Sequence, residues 1–351
     1  MTRSPLRHGY TTGACATAAS LAAALALVRG ERPEAVTIRL PAGGSVRFAL
    51  DHLRPCAAGF QAGVVKDAGD DPDVTHGAVV FARVSPSETP GIHFRAAEGV
   101  GTVTRPGLPV PVGEPAINPV PRQMMREHLS PLLGRESPGL TVAVGVENGE
   151  ALAARTLNPR LGIVGGLSIL GTTGIVRPFS CSAWVHAIHR AVDVARANGC
   201  EHLVACTGST SERALRALHP HLPELAFVEM GDVVGALLKY LRRHPVPRLT
   251  VGAGFAKLCK LAQGRMDLHS RRGGVDLDAL AAWAQEAGLP DAGGIAAAPT
   301  ALAALERWGE PLAQTVAQRA AAVVRARLPD LAALEVVAVD RDGRVRARVT
   351  G

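Results

Sequence analysis

Aromatic side chains make up only 3% of this chain of 351 residues. Proteins that hold single-stranded nucleic acid stack its bases on aromatic rings, so that mode of binding is the first to be excluded. Cysteine is scarce as well. Cys15, Cys56, Cys181, Cys200, Cys206 and Cys259 are widely spaced and form no C-x-x-C pair, which removes zinc-ribbon and thioredoxin-like readings. They read as the free thiols of a cytoplasmic protein, used as small apolar groups. No G-x-x-x-x-G-K-[ST] segment is present, so a P-loop nucleotide hydrolase is excluded. Runs of five or more basic residues are missing too, although the net charge is +7. Dispersed charge of this kind leaves two readings open, an Arg-rich surface that aids solubility and a partner carrying many negative groups.

One apolar stretch, Ala14 to Val28, follows Arg3 and Arg7 and imitates a secretory leader. Thr11-Thr12-Gly13 interrupts its approach, and Val28-Arg29-Gly30-Glu31 offers no small-residue cleavage site. The stretch is also too short to span a bilayer. It reads as a buried helix capped by Thr12, and no membrane partner is expected.

What is present falls into two patterns. To about residue 157 the chain mixes helix and strand without a βαβ rhythm. Ala35–Leu40 and Ser45–Leu50 flank Pro41-Ala42-Gly43-Gly44 as a hairpin, and residues 99–121 hold too much Gly and Pro for a long helix. Beyond it, four apolar runs each end in glycine: Leu161–Gly166, His202–Gly208, Ala226–Gly231 and Leu249–Gly254. A helical stretch follows each, which is the rhythm of a parallel sheet with right-handed crossovers. The expected organisation is an α+β domain over 1–157 and a Rossmann-like α/β domain over 158–273 with about four parallel strands. A helical tail with a terminal hairpin, Leu334–Val339 and Val345–Val349, completes the chain over 274–351.

Open α/β sheets bind ligands beyond the carboxyl ends of their strands. The loops expected there carry Gly165, Gly166, Gly171, Thr172 and Thr173, then Gly208, Ser209 and Thr210, then Glu229, Gly231 and Asp232, and finally Gly252 and Gly254. Glycine admits close backbone approach, helix N-termini attract anions, and Glu229 or Asp232 suits a ribose diol. Gly252-Ala253-Gly254 lacks a third glycine, since Lys257 stands in its place, so the nicotinamide dinucleotide fingerprint is incomplete. Lys257, Lys260, Arg265 and Arg271 follow closely and, with Arg177, are candidates to clamp carboxylates. Asp267 and His269 are the candidate proton-handling pair. Asp67, Asp70, Asp71, Asp73 and His76 do not match an EF-hand and read as turn formers, so no metal site is expected.

Several longer stretches resemble the CbiD family. They are Arg7-His8-Gly9-Tyr10-Thr11-Thr12-Gly13, Lys66 through Gly77, Gly99 through Leu108, Gly113 through Arg122, and Ser168-Ile169-Leu170-Gly171-Thr172-Thr173-Gly174-Ile175-Val176. The resemblance implies an N-terminal domain similar to a permuted second domain of ribosomal protein S5, followed by the Rossmann-like domain. It implies an enzyme that uses S-adenosyl-L-methionine to methylate C1 of cobalt-precorrin-5B, giving cobalt-precorrin-6A in cobalamin synthesis. It further implies a polyanionic tetrapyrrole as substrate partner, which gives the basic cleft a purpose, and no nucleic acid. Monomer and homo-oligomer are both left open.

Overall fold

The computed structural model describes residues 6–134 and 139–351, so Arg3 lies outside the described residues. The chain divides into two units, Met1–Cys181 and Ser182–Gly351.

In the first unit, helix α1 (Thr12–Arg29) is built almost wholly from small and apolar residues. Thr11, rather than Thr12, caps it by accepting from the Ala14 N–H, and Gly30 closes it in the left-handed region at φ 70°. Thr12 is not free to cap, because its hydroxyl donates to the Leu170 carbonyl and accepts from the Leu170 N–H. By length and composition α1 could cross a membrane, yet 72% of that span is buried inside the unit. Its alanines let a five-stranded sheet lie close against it. The strands are β1 (His52–Cys56), β2 (Gly59–Val65), β3 (Val79–Ser87), β4 (Ile92–Ala96) and β5 (Gly139–Val146), in the order β1-β2-β3-β5-β4. All neighbours are antiparallel except β5 and β4. Ile38, Val80, Val84 and Val142 fill the space beneath, together with Met125 from helix α2 (Pro119–Leu129).

Residues 158–181 also belong to this unit, and here the structure differs from the expected boundary at 157. Ile163–Val164 pairs with Thr102–Val103, Gly166–Leu167 with Gly99–Val100, and Ile175–Val176 with Gly9–Tyr10. The glycine that ends the run at 161–166 serves backbone approach and not a strand-to-helix turn. A Cβ on Gly166 would lie 2.3 Å from the Gly99 carbonyl oxygen.

The second unit opens with helix α3 (Cys181–Ala197) and continues β6 (His202–Cys206), α4 (Ser209–Leu218), β7 (Phe227–Glu229), α5 (Val234–Leu241), β8 (Arg248–Gly254) and α6 (Phe255–Ala262). Helix α7 (Leu277–Glu286) and the helical segment α8 (Ala301–Arg327), broken at Gly309 before Pro311, lead to β9 (Ala333–Val339) and β10 (Val345–Thr350). The sheet order is β7-β6-β8-β9-β10, with the first four strands parallel and β10 antiparallel. The fourth parallel strand is therefore β9, from the expected tail hairpin, and not the run at 161–166. Its sequence explains the placement. Leu334, Val336 and Ala338 pack on one face while Val337 and Val339 pack on the other, as a strand covered on both sides requires. Successive residues of β6 alternate in the same way, with Leu203 and Ala205 on the face of α3, α5 and α6, and Val204 and Cys206 beneath α4.

One buried polar network crosses this sheet. The Glu335 carboxylate accepts from Thr250 Oγ1 at 2.8 Å, from His219 Nε2 at 2.7 Å and from Arg348. His202 Nε2 reaches the same Thr250 hydroxyl at 2.8 Å. Burial alone would raise the Glu335 carboxyl, but the bonds from Thr250, Arg348 and His219 outweigh it and hold it below the usual carboxylate range. Burial and the neighbouring His219 depress His202.

Two stability predictions follow from these buried charges. Lys66 is 1% exposed and its ammonium contacts Asp73 at 2.7 Å. Asp73→Asn leaves that charge uncompensated and should cost about 3 kcal/mol in urea unfolding; an unchanged midpoint would refute the pairing. The second concerns pH. A histidine with a depressed folded pKa contributes stability above its unfolded value of 6.5 and loses it as pH falls. A depressed carboxyl contributes above 4.5 and loses it as pH falls through the folded pKa. Thermal midpoints should therefore decline on acidification, beginning near pH 6.5. His202→Asn should flatten the upper part of that decline and Glu335→Gln the lower part.

Candidate functional site

The carboxyl ends of the parallel strands lie level. Cys206 is in register with both Glu229 and Gly252, and Gly254 with Val339. From β6 the chain runs outward to β7 on one side, then returns to β8 on the other. This reversal between β6 and β8 is the switch point at which open sheets leave a crevice.

A cavity of about 460 Å³ opens there, lined by Thr207 to Ser211, Gly254 to Lys257, Leu302 and Val339 to Arg341. Its size suits a small organic ligand. The loop after β6 is locked by Ser211, whose hydroxyl accepts from the Thr207 N–H at 3.1 Å and donates to the Gly208 carbonyl at 2.8 Å. Helices α4 and α6 both begin at this cavity without a side-chain cap. Their first-turn N–H groups have no partners within the helix, so the cavity favours a negative group. Gly252 allows α4 to seat over the sheet, since a Cβ there would lie 2.1 Å from Leu215 Cδ1.

Lys257 bridges the strand ends. Its ammonium contacts the Asp232 carboxylate at 3.0 Å and donates to the Thr207 carbonyl at 3.2 Å. Glu229 ends β7, the strand next to β6, and Gly231 adopts φ 55° beneath the indole of Trp184. The structure thus brings Gly208, Ser209, Thr210, Gly254 and Lys257 together around one cavity, with Asp232 joined to them through Lys257.

Other candidates are placed differently. Gly165, Gly166, Gly171, Thr172, Thr173 and Arg177 all belong to the N-terminal unit. Gly171 lies against Thr11, and Gly166 against Gly99, for which close packing is a sufficient reason. Lys260 is buried and donates to the Leu268 carbonyl, where it pins the following loop instead of presenting a cation. Arg265 Nη1 is buried beside Gly273. Asp267 accepts from the His269 backbone N–H and pairs with Arg272, so its carboxylate does not orient the imidazole. His269 Nδ1 accepts from the Arg271 N–H, which leaves the neutral ring's proton on Nε2. His269 is exposed, and in that tautomer its Nε2 is a hydrogen-bond donor.

Leu302, Asp340 and Arg341 line the cavity without having been read as site residues. The available signal was the apolar run of β9, which marks a central parallel strand and hence places the next turn at the ligand edge.

The acidic loop serves structure. Asp67 pairs with Arg7, whose hydrogen bond holds the carboxyl down to about 2, and Asp73 pairs with Lys66. Among the described residues no group of three or more His, Cys, Asp or Glu is arranged to hold a metal ion. Burial pushes the Cys15 thiol up to about 12 and raises Cys259 as well, so neither is an activated nucleophile.

Fold and site together define an α/β protein of two units whose open sheet carries a small-molecule cavity at its strand-order reversal. The family model CbiD matches residues 1–178, and the model for the CbiD C-terminal domain matches residues 267–350. A cobalt-precorrin-5B C(1)-methyltransferase of Burkholderia ambifaria is 58% identical over 97% of this chain and 96% of its own length. Its counterpart in Burkholderia cenocepacia is 57% identical with the same coverage. A crystal structure of the cobalamin biosynthesis protein cbiD from Archaeoglobus fulgidus aligns at 31% identity over 76% of this chain and 83% of that one, with a TM-score of 0.41. The chain belongs to the CbiD family.

Proposed function

We propose that this protein is a methyltransferase that methylates C1 of cobalt-precorrin-5B, yielding cobalt-precorrin-6A during cobalamin synthesis in the cytoplasm. The observation that carries the reading is near-complete coverage: 58% identity over 97% of the chain leaves no domain unmatched by a relative of that name. The methyl donor in this reading is S-adenosyl-L-methionine. The cavity of the C-terminal sheet fits such a molecule, having the volume for it, uncapped helix starts for a carboxylate, and hydroxyls at Ser209 and Thr210 for polar groups. Ser209, Thr210 and Lys257 would hold the donor, with Glu229 at the neighbouring strand end suited to a ribose diol. Bound there, the donor supplies an electrophilic methyl group on a sulfonium.

The rest is positioning. The tetrapyrrole brings its own nucleophilic carbon and its own cobalt, so the protein needs neither a covalent nucleophile nor a resident metal. Acetate and propionate arms make the substrate a polyanion, which the net charge of +7 attracts over distance. Arg271, which is exposed, remains the proposed contact for those arms. A Rossmann-like fold for the second unit and an S5-like fold for the first accompany this reading.

Calorimetric titration with S-adenosylhomocysteine should show one site, and NADH should not compete for it. Turnover of cobalt-precorrin-5B should deliver one methyl group per product. Lys257→Ala should weaken S-adenosylhomocysteine roughly 10-fold or more, through loss of the cation and of the brace between the strand ends. Binding of NADH in place of S-adenosylhomocysteine would move the assignment to an oxidoreductase.

A further inference from the structure

The cavity has a second cationic wall, contributed by the turn that joins β9 to β10. We infer that Arg341 in this turn is a specificity-determining residue that binds a carboxylate of the ligand, an inference that rests on the function proposed above.

Four observations carry it. First, Arg341 lines the same cavity as Lys257 and the loop after β6. Second, the turn is held rigidly. Asp340 Oδ1 accepts from the N–H groups of Asp342 and Arg344, and the Asp340 N–H donates to the Arg344 carbonyl at 3.0 Å. Asp340 Oδ1 is thereby engaged within its own turn and Oδ2 lies 3.8 Å from Arg346 Nη1 on β10, so both oxygens of this cavity-lining carboxylate are committed and Arg341 is the charge this segment offers a ligand. Third, the turn is seated on the site. Gly343, at φ 85°, packs so that a Cβ would lie 3.7 Å from Thr210 Cγ2 in the first turn of α4. The register of β9 with β8 fixes that placement, since Val339 lies opposite Gly254.

Fourth, Arg341 holds an exchangeable partner. Its guanidinium meets Glu306 of α8 at 3.0 Å, and the two side chains are 63% and 64% exposed. A pair so exposed is held weakly and can be exchanged for a ligand carboxylate at small cost. A guanidinium matches a carboxylate in two parallel hydrogen bonds, which an ammonium does not. Lys257 and Arg341 together therefore give the cavity a positive lining toward a carboxylate-bearing ligand. Both the amino-acid end of the methyl donor and the arms of the tetrapyrrole present that group.

The test compares the full-length protein with Arg341→Gln, Arg341→Lys and Glu306→Gln. The probes are S-adenosylhomocysteine, its decarboxylated analogue, and steady-state KM and kcat for cobalt-precorrin-5B. If the donor's carboxylate is the partner, Arg341→Gln weakens S-adenosylhomocysteine roughly 10- to 100-fold, and the decarboxylated analogue binds wild type and variant alike. Arg341→Lys then recovers part of the loss, and Glu306→Gln binds as tightly as wild type or tighter, a result that loss of a structural ion pair does not give. If Arg341→Gln instead raises only the KM for the tetrapyrrole, with kcat unchanged, the inference stands and the carboxylate is the substrate's. Wild-type turnover with neither quantity altered in Arg341→Gln overturns the inference and leaves the methyltransferase reading intact. A wild-type protein that neither binds S-adenosylhomocysteine nor turns over removes both.

Discussion

The hydrogen-bond register of the C-terminal sheet is the constraint on which the site depends. Cys206, Glu229 and Gly252 stand in one row, and Gly254 stands opposite Val339. Side chains along a strand alternate between faces, so a slip of one residue would exchange Leu203 and Ala205 with Val204 and Cys206. It would also move the start of α6, and Lys257 with it, relative to the loop after β6. The two apolar faces of β6 and β9 forbid that slip, because each face is already matched to its own helices. The packing of the core and the placement of the cavity are thus one requirement.

A different interlock organises the N-terminal unit. The stretches 7–13, 66–77 and 168–176, each distinctive in sequence, meet through backbone bonds. The Tyr10 N–H donates to the Asp67 carbonyl, the Thr11 N–H to Gly174, and the Gly13 N–H to Leu170. A Cβ on Gly9 would lie 2.1 Å from the Ala68 carbonyl carbon, so this approach admits no side chain. Arg7 and Lys66 then neutralise two of the carboxylates in the second stretch, Asp67 and Asp73. Such dense backbone pairing explains why these stretches are rich in Gly, Thr and Asp without any of them having to touch a ligand.

Much of this was legible in the sequence. The helix at 12–29 follows from its composition and its Thr and Gly ends, and β6, β7 and β8 follow from short apolar runs closed by glycine. The run at 161–166 has the same local signature yet pairs inside the N-terminal unit. Its glycine answers to Gly99, which is 67 positions upstream of Gly166 by their numbers, and local pattern carries no trace of that distance. The opposite error befell β9. A strand followed by a tight turn and another strand reads as a hairpin from local signals alone, and it does pair with β10. Only its apolar residues on both faces marked it as the inner partner of β8. Arg341 escapes a local reading for that reason, and Lys260 reads as a carboxylate clamp because no local signal shows that its ammonium finds the Leu268 carbonyl.

Exposure separates the ion pairs of this protein into two kinds with different uses. Lys66 beside Asp73, and Glu335 beside Thr250 and His219, are withdrawn from water, and removing a partner strands a charge or a polar group. They fix geometry and cannot be exchanged. Arg341 with Glu306 sits where water reaches, and the pair contributes on the order of 0–1 kcal/mol. A pair so weak does little for the fold, but it keeps a second cation beside the cavity, in addition to Lys257, and available for a stronger partner. A ligand carboxylate arriving between two uncapped helix starts meets charge that is already in place, and displaces only the loosely held Glu306 to reach Arg341. For a reaction in which the substrates supply both nucleophile and electrophile, that readiness to hold and orient is the main thing the protein has to provide.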